Sequence, residues 1–377
     1  MSHQTVLAPK GFVAASANLK PGEHGDAMVL LVNQGPAWNA AAVFPNNPLC
    51  APSVRATQEV MRAHAVNAVV MYSGNANAFN GANGAADTRE IQDRVAQAVG
   101  VPCERVAVCS KGQFAQPLPM DQVRTGISNL ALGLGDSPTH AEAISSAVSS
   151  SAEAVNQAGV NCGTWSVGGV VPGTSTLSEA SDTLIVCITT DALVPAFSLD
   201  KALRRAVEST FGTLDRSRSP LTNDTVLLLT SGASGVTPNQ TQLDEAVLEV
   251  CEALLGQLLT NPEGTAKSLT LTVVGATNHD EANEAAQAIV GDERFRQSLL
   301  GALIAWPRAL AIAGKAGVGL GAEESLAVYV NGIQLCRGAT ESVLRQDIEE
   351  GSHVSVTVDL GTRGSGTAMV RTLLEAV

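Results

Sequence analysis

The sequence predicts a layered α/β protein, and three observations carry that expectation. Short, strongly apolar, β-branched runs such as TLIVCITT (183–190) and TVLLLT (225–230) recur along the chain. Longer segments with apolar residues three or four apart lie between them, and this alternation is the pattern of α/β and layered α+β folds. With 377 residues, 45% of them hydrophobic, the chain can bury a sizeable core as one large domain or two closely packed ones.

In chain order, residues 27–32, 40–44 and 68–72 read as strands bounded by Gly, Pro and Asn. Residues 53–65 have helical spacing. A helix over 88–99 has Asp87 as its N-cap candidate and Gly100 just past its end. A strand at 106–110 and helices over 119–134 and 140–157 follow. The Ala- and Ser-rich stretch 143–154 reads as helix with an exposed polar face. Residues 166–176 are rich in Gly, Val, Ser and Thr. A buried strand over 183–190, a helix over 199–211, a strand over 225–230 and a helix over 242–259 come next. The chain continues with a strand at 269–274, helices at 281–289 and 295–303, and a late strand at 354–359.

Composition excludes several function classes. The formal net charge is -13 with a pI near 4.9, and such a surface repels nucleic acid and anionic membrane. Residues 1–20 lack a basic region followed by an apolar core, so no signal peptide is expected. No run of roughly 18 apolar residues suggests a membrane span. The seven cysteines are widely spaced and never form a CxxC pair, which fits reduced thiols in a cytoplasmic protein. The six histidines form no HExxH pattern. The glycines of GKAGVGLG (314–321) lack the spacing of a phosphate loop, and no GxGxxG or GxSxG is present. No metal and no cofactor is expected.

The informative stretches come in a fixed order. They are SGNANA (73–78), GANGAADT (81–88), VAVCSKG (106–112), LPMD (118–121), WSVGG (165–169), DTLIVCITTDA (182–192) and TNDTVLLLTSGAS (222–234). In this order they resemble the glutamate N-acetyltransferase family, also called ornithine acetyltransferases, from residue 11 to about residue 371. The resemblance implies two layered α/β domains around a cleft, with the nucleophile on a buried strand at their junction. It also implies a chain that cuts itself before a threonine, here between Asp182 and Thr183. The two regions would then be 1–182 and 183–377. Read locally, Thr183 is only the first residue of a buried strand; flanking sequence on both sides gives it the nucleophile's position.

The implied chemistry has a clear physical basis. A threonine hydroxyl is a weak nucleophile at neutral pH and needs an adjacent base. Cleavage creates one on the same residue, because a free α-amino group has an ordinary pKa of about 8. Oxyanion donors then stabilise the tetrahedral intermediate, each worth roughly 3–4 kcal/mol.

The departures from the family cluster at this site. Its oxyanion pair, Thr-Gly, is Lys111-Gly112 here; Gly112 keeps a backbone N–H, and Lys111 brings a charge in place of a hydroxyl. Read locally, Lys111 is a surface lysine after a strand. A substrate-holding lysine of the family falls on Pro172, which offers no donor. A Thr-rich helix segment falls on residues 149–152, of which Ser149 keeps a hydroxyl. Glu263 matches a substrate-contacting glutamate, with an exposed loop acid as the local alternative. The small residue before the cut is Asp182 here. The DPNWGR segment becomes LIAWPR (303–308), and the sequence ends with RTLLEAV where the family carries an Asn- and Ser-bearing tail.

These changes remove groups that would hold the two ends of ornithine and glutamate. The expected function is a divergent N-acyltransferase, self-processed before Thr183, acting through a Thr183 acyl-enzyme on an altered N-acylated amino acid or related small molecule. Hydrolysis in place of transfer, as an amidohydrolase, stays open. The alternative is an unprocessed, catalytically silent paralogue serving as scaffold or small-molecule binder. A homo-oligomer is expected, a heterotetramer of two fragments if cleaved, with no nucleic-acid or membrane partner.

Overall fold

The computed structural model describes residues 5–19, 26–147, 156–172, 183–215, 221–260, 266–300, 305–338, 340–341 and 351–375. Its first elements are β1 (Phe12–Asn18), β2 (Ala27–Asn33), β3 (Ala40–Val43), α1 (Pro52–Val60), β4 (Ala68–Tyr72), α2 (Gly81–Val99), β5 (Val106–Ser110), α3 (Met120–Leu132) and α4 (Pro138–Ala147). They are followed by β6 (Gln157–Asn161), β7 (Ser166–Val170), β8 (Ile185–Thr190), α5 (Ala196–Ser209), β9 (Thr225–Thr230) and α6 (Gln240–Leu258). The remainder is β10 (Ala266–Ala276), α7 (His279–Val290), α8 (Glu293–Leu300), α9 (Trp306–Lys315), β11 (Ala327–Val330), β12 (Ile333–Arg337), β13 (Thr340–Glu341), β14 (His353–Asp359) and β15 (Gly366–Glu375). The class is α/β, as the alternation predicts.

The described residues form two compact units: one of residues up to 172, 183–212 and 221–258, the other of 213–215 and those from 259 onward. In the first unit, one sheet has the order β1-β2-β4-β5 and another β3-β9-β8-β7-β6. The strand period of two explains how they layer. Val29 and Leu31 of β2 join Val69, Cys109, Ile185, Cys187 and Leu227 in a core shared by both sheets. Met28, Leu30 and Val32 point to the other face, where they meet Ile91 and Val95 of α2 and Val123 and Ile127 of α3. Helix α6 approaches the second sheet so closely that a Cβ on Gly169 of β7 would lie 2.8 Å from Val250 Cγ1. The point between 182 and 183 falls inside this unit, because β8 and β9 complete the sheet that β3, β6 and β7 share.

The second unit is a six-stranded sheet, β13-β12-β11-β14-β10-β15, with β10 parallel to β14 and antiparallel to β15. Leu271, Val328, Val356 and Val358 of the sheet pack with Ala285 and Ile289 of α7, Phe295 of α8 and Ala309 and Ala313 of α9.

Several expectations need correction. Helix α2 begins at Gly81, not 88, so Asp87 lies in its interior and Asn80 precedes it without a side-chain cap bond. Gly100 does end it, in the left-handed conformation at φ 71°. Of the helix expected over 140–157, Pro138–Ala147 is helical, residues 148–155 lie outside the described residues, and Gln157 opens strand β6. The buried strand expected from 183 begins at Ile185, with Thr183 and Leu184 as its lead-in. Strands β1, β6, β7, β11, β12, β13 and β15 and helix α9 escape the sequence reading.

Candidate active site

Thr183 is 5% exposed, on extended chain just ahead of β8. Its flank is fixed by the residues before β9. The Leu184 N–H donates to Asp224 Oδ1 at 3.0 Å, and the Thr225 N–H donates to the Leu184 carbonyl at 2.9 Å. The parallel β8–β9 ladder continues from there, Ile185 opposite Thr225. Among the described residues, none hydrogen-bonds the Thr183 hydroxyl.

Lys111 and Gly112 follow β5 directly. The Lys111 N–H donates to the Tyr72 carbonyl at 2.9 Å, and its ammonium donates to the Pro172 carbonyl at 3.3 Å. Pro172 is buried just past β7, the strand that pairs with β8. The structure therefore brings two of the predicted site residues together and ties them to the strand that follows Thr183. Gly112 has φ +128°, and a Cβ there would lie 2.2 Å from the Gly74 carbonyl carbon. Only glycine fits this approach. The neighbouring chain is laced to the SGNANA loop: Gln113 N–H donates to the Gly74 carbonyl at 3.2 Å, and Ala76 N–H to the Gln113 carbonyl at 3.0 Å. Asp182, Ser149 and Glu263 lie outside the described residues.

The sequence reading missed a second layer of residues. Asn223, 1% exposed, donates from Nδ2 to the Ser110 carbonyl at 2.9 Å and the Ala76 carbonyl at 2.7 Å. The Ser110 hydroxyl shares a 2.8 Å bond with Ser53. The signal was present in Thr222-Asn223-Asp224, three polar residues immediately ahead of an apolar strand, but read only as a fingerprint.

The thiols beneath the site are poor nucleophiles. Burial pushes Cys109 of β5 up to about 12, opposed by a bond from the Thr225 hydroxyl, and burial raises Cys187 of β8 as well. A thiol reacts as its thiolate, so the hydroxyl of Thr183 is the better candidate. In the second unit, Arg308 of LIAWPR holds Asp292 by two bonds of 2.5 and 2.7 Å, and Asp292 Oδ1 accepts the Phe295 N–H at 2.8 Å near the start of α8. The retained arginine thus has a structural partner. A cavity of about 500 Å³ between α1 and α2, lined by Arg55, Arg62, Arg89, Gln92 and Cys103, contains none of the predicted site residues. Among the described residues, no group of three His, Cys, Asp or Glu could hold a metal ion, and no helix is long and apolar enough to cross a membrane.

A sequence model of the ArgJ family matches residues 12–373. The chain is 37% identical over 378 residues to the arginine biosynthesis bifunctional protein ArgJ of Mycobacterium tuberculosis, covering 98% of this chain and 93% of that one. It is 36% identical to arginine biosynthesis bifunctional protein ArgJ 1 of Streptomyces clavuligerus, covering 97% and 95%. Among solved structures, ornithine acetyltransferase of Mycobacterium tuberculosis, complexed with ornithine, is 31% identical, covering 47% of this chain and 96% of that one at a TM-score of 0.44.

Proposed function

Because the chain belongs to the ArgJ family, we propose that it is an acyltransferase of arginine-type amino-acid metabolism, self-processed between Asp182 and Thr183, with altered recognition of its amino-acid substrate. The observation that carries this reading is the place of Thr183: a hydroxyl-bearing residue, 5% exposed, directly ahead of β8. The curated relatives named for arginine biosynthesis support the acyl-transfer chemistry. The replacement of donors at 111 and 172 supports the altered recognition.

Processing begins when Thr183 Oγ1 attacks the Asp182 carbonyl carbon. The peptide C–N bond breaks, the nitrogen takes a proton and becomes the free α-amine of Thr183, and an ester remains. Water hydrolyses that ester and releases the Asp182 carboxylate. In turnover the new amine accepts the hydroxyl proton as Oγ1 attacks the acyl carbonyl of an N-acylated amino acid. The oxyanion is met by the Gly112 N–H and the Lys111 cation. The donor's amine leaves with a proton, and an acceptor amine then takes the acyl group from the Thr183 ester. The fragments 1–182 and 183–377 stay associated, since β8 and β9 remain in the sheet of β3, β6 and β7, and the assembly is an oligomer of both.

Intact mass of the purified protein tests the reading. Two fragments split at residue 183 are expected, and only the full chain in Thr183→Ala. A persistent 38.7 kDa species that Thr183→Ala leaves unchanged would overturn it. Incubation with N-acetylornithine and glutamate measures how far recognition has moved, with acetylglutamate near the Thr183→Ala background as the expected result.

A further inference from the structure

Asn223 and Asp224 stand side by side ahead of β9, and each reaches a different part of the site. The Asn223 amide is fully engaged. Its Nδ2 donates to the Ser110 carbonyl at 2.9 Å, the Ser110 hydroxyl at 3.0 Å and the Ala76 carbonyl at 2.7 Å, while Oδ1 accepts the Thr222 hydroxyl at 2.7 Å. Ser110 ends β5, so this amide clamps the residue just before Lys111 and Gly112. It also clamps Ala76, in the loop that Gln113 pairs with. Asp224 holds the other side: its Oδ1 accepts the Leu184 N–H at 3.0 Å, one residue past Thr183. The two anchors are joined by one trans peptide, which spans about 3.8 Å between Cα atoms. A buried, fully bonded amide has one low-energy arrangement, so a shift on either side is carried to the other.

We infer that the Asn223–Asp224 pair is a positioning element that sets the Lys111–Gly112 turn relative to Thr183. The inference rests on the acyl-transfer reading above. Both residues act through their partners' backbone and take no part in bond making. Their contribution is alignment, for which an error of about 1 Å costs roughly 100-fold in rate. An internal reference exists at the opposite end of β9. Asn33, 2% exposed, donates to the Ala37 carbonyl at 3.0 Å and the Thr230 carbonyl at 2.9 Å. It is a buried amide of the same kind, bonded to the same strand away from Thr183.

The experiment compares full-length wild type, Asn223→Ala, Asp224→Ala, the double variant and Asn33→Ala. It follows cleavage at 183, the kcat and KM of acyl transfer from p-nitrophenyl acetate as a generic activated acyl donor, and hydrogen exchange in peptides covering 110–116 and 184–190. The expected result is a kcat loss of roughly 100-fold in each site variant with KM within about threefold. The double variant falls little further, because the pair acts as a unit. Exchange rises crosswise, at 110–116 in Asp224→Ala and at 184–190 in Asn223→Ala, while Asn33→Ala keeps kcat. A kcat loss in Asn33→Ala equal to that of the site variants, or exchange confined to each variant's own anchor, overturns the inference. A wild type without fragments or turnover overturns the acyl-transfer reading instead. The exchange pattern needs no activity and still decides whether the pair couples the two anchors.

Discussion

The Lys111 ammonium donates to the Pro172 carbonyl oxygen at 3.3 Å, joining the turn after β5 to the chain leaving β7. Position 172 has no cationic side chain, yet a cation is delivered to its backbone from residue 111. Proline lacks an N–H but keeps its carbonyl as an acceptor, so the ring and the lysine are compatible as a pair. Lys111→Met keeps most of the apolar stem and removes the charge. The expected outcome is a kcat/KM loss of roughly tenfold to a hundredfold, as for an electrostatic donor at an oxyanion, with the melting temperature nearly unchanged. Lys111→Arg should recover only part of the rate, because a planar fork cannot replace a compact ammonium in this setting. Steady-state kinetics beside a thermal melt checks both, and an unaltered kcat/KM in Lys111→Met would remove Lys111 from the site.

Gly112→Ala should be among the most damaging single-methyl changes in the first unit. The added Cβ would meet backbone atoms, Gly74 C at 2.2 Å and Asn75 N at 2.5 Å, and φ +128° is unfavourable for any side chain. Relief requires the turn to move, taking the Gly112 N–H with it. The expected cost is roughly 1–3 kcal/mol of stability together with loss of cleavage before Thr183. A urea unfolding midpoint and a gel of the freshly purified protein read the two effects. Wild-type stability with full cleavage would refute the geometric argument.

The strands at 68–72, 106–110 and 225–230 were legible to the residue, because each is a short apolar run that is buried whole. Strand β1, FVAASAN, and β6, QAGVN, were not, since alanine, glycine and polar residues carry no strand period. Their state is decided by their ladders, β1 against β2 and β6 against β7. The same holds at the site. Thr183 could be placed from its neighbours in sequence, whereas Asn223 bonds to partners 113 and 147 residues away. Only the sheet register brings them within reach. Lys111 was recognisable as a departure, but its partner Pro172 lies 61 residues on, in the chain leaving β7.

Native cysteines should resist alkylation at neutral pH. Burial pushes Cys109 and Cys251 up to about 12 and raises Cys187, Cys162 and Cys336. Cys103, partly exposed, is pushed up to about 11 by burial and then by the Asp93 carboxylate that accepts its S–H. Thiolate is the reactive form, so at pH 7.5 these six thiols stay intact where denatured protein is alkylated at all seven cysteines. Mass spectrometry of iodoacetamide adducts reads the sites, and prompt labelling of Cys109 in folded protein would contradict the buried placement of β5.

Asp292 should make the second unit sensitive to acid. The Arg308 guanidinium holds its carboxyl below the usual carboxylate range; burial opposes this, and the Phe295 N–H assists. The folded state therefore favours the charged form. That stabilisation is complete above the ordinary carboxylate pKa of about 4 and disappears as the pH falls through the depressed value. Asp292→Asn keeps an acceptor for the Phe295 N–H but loses the ion pair with the partly exposed Arg308. The variant should be less stable than wild type at pH 7, and the gap should close as the pH falls through the depressed value and the wild-type carboxyl takes its proton. Urea unfolding across this pH range measures the gap. A gap that is the same at pH 7 and pH 3 would show that Asp292 contributes through packing, without its charge.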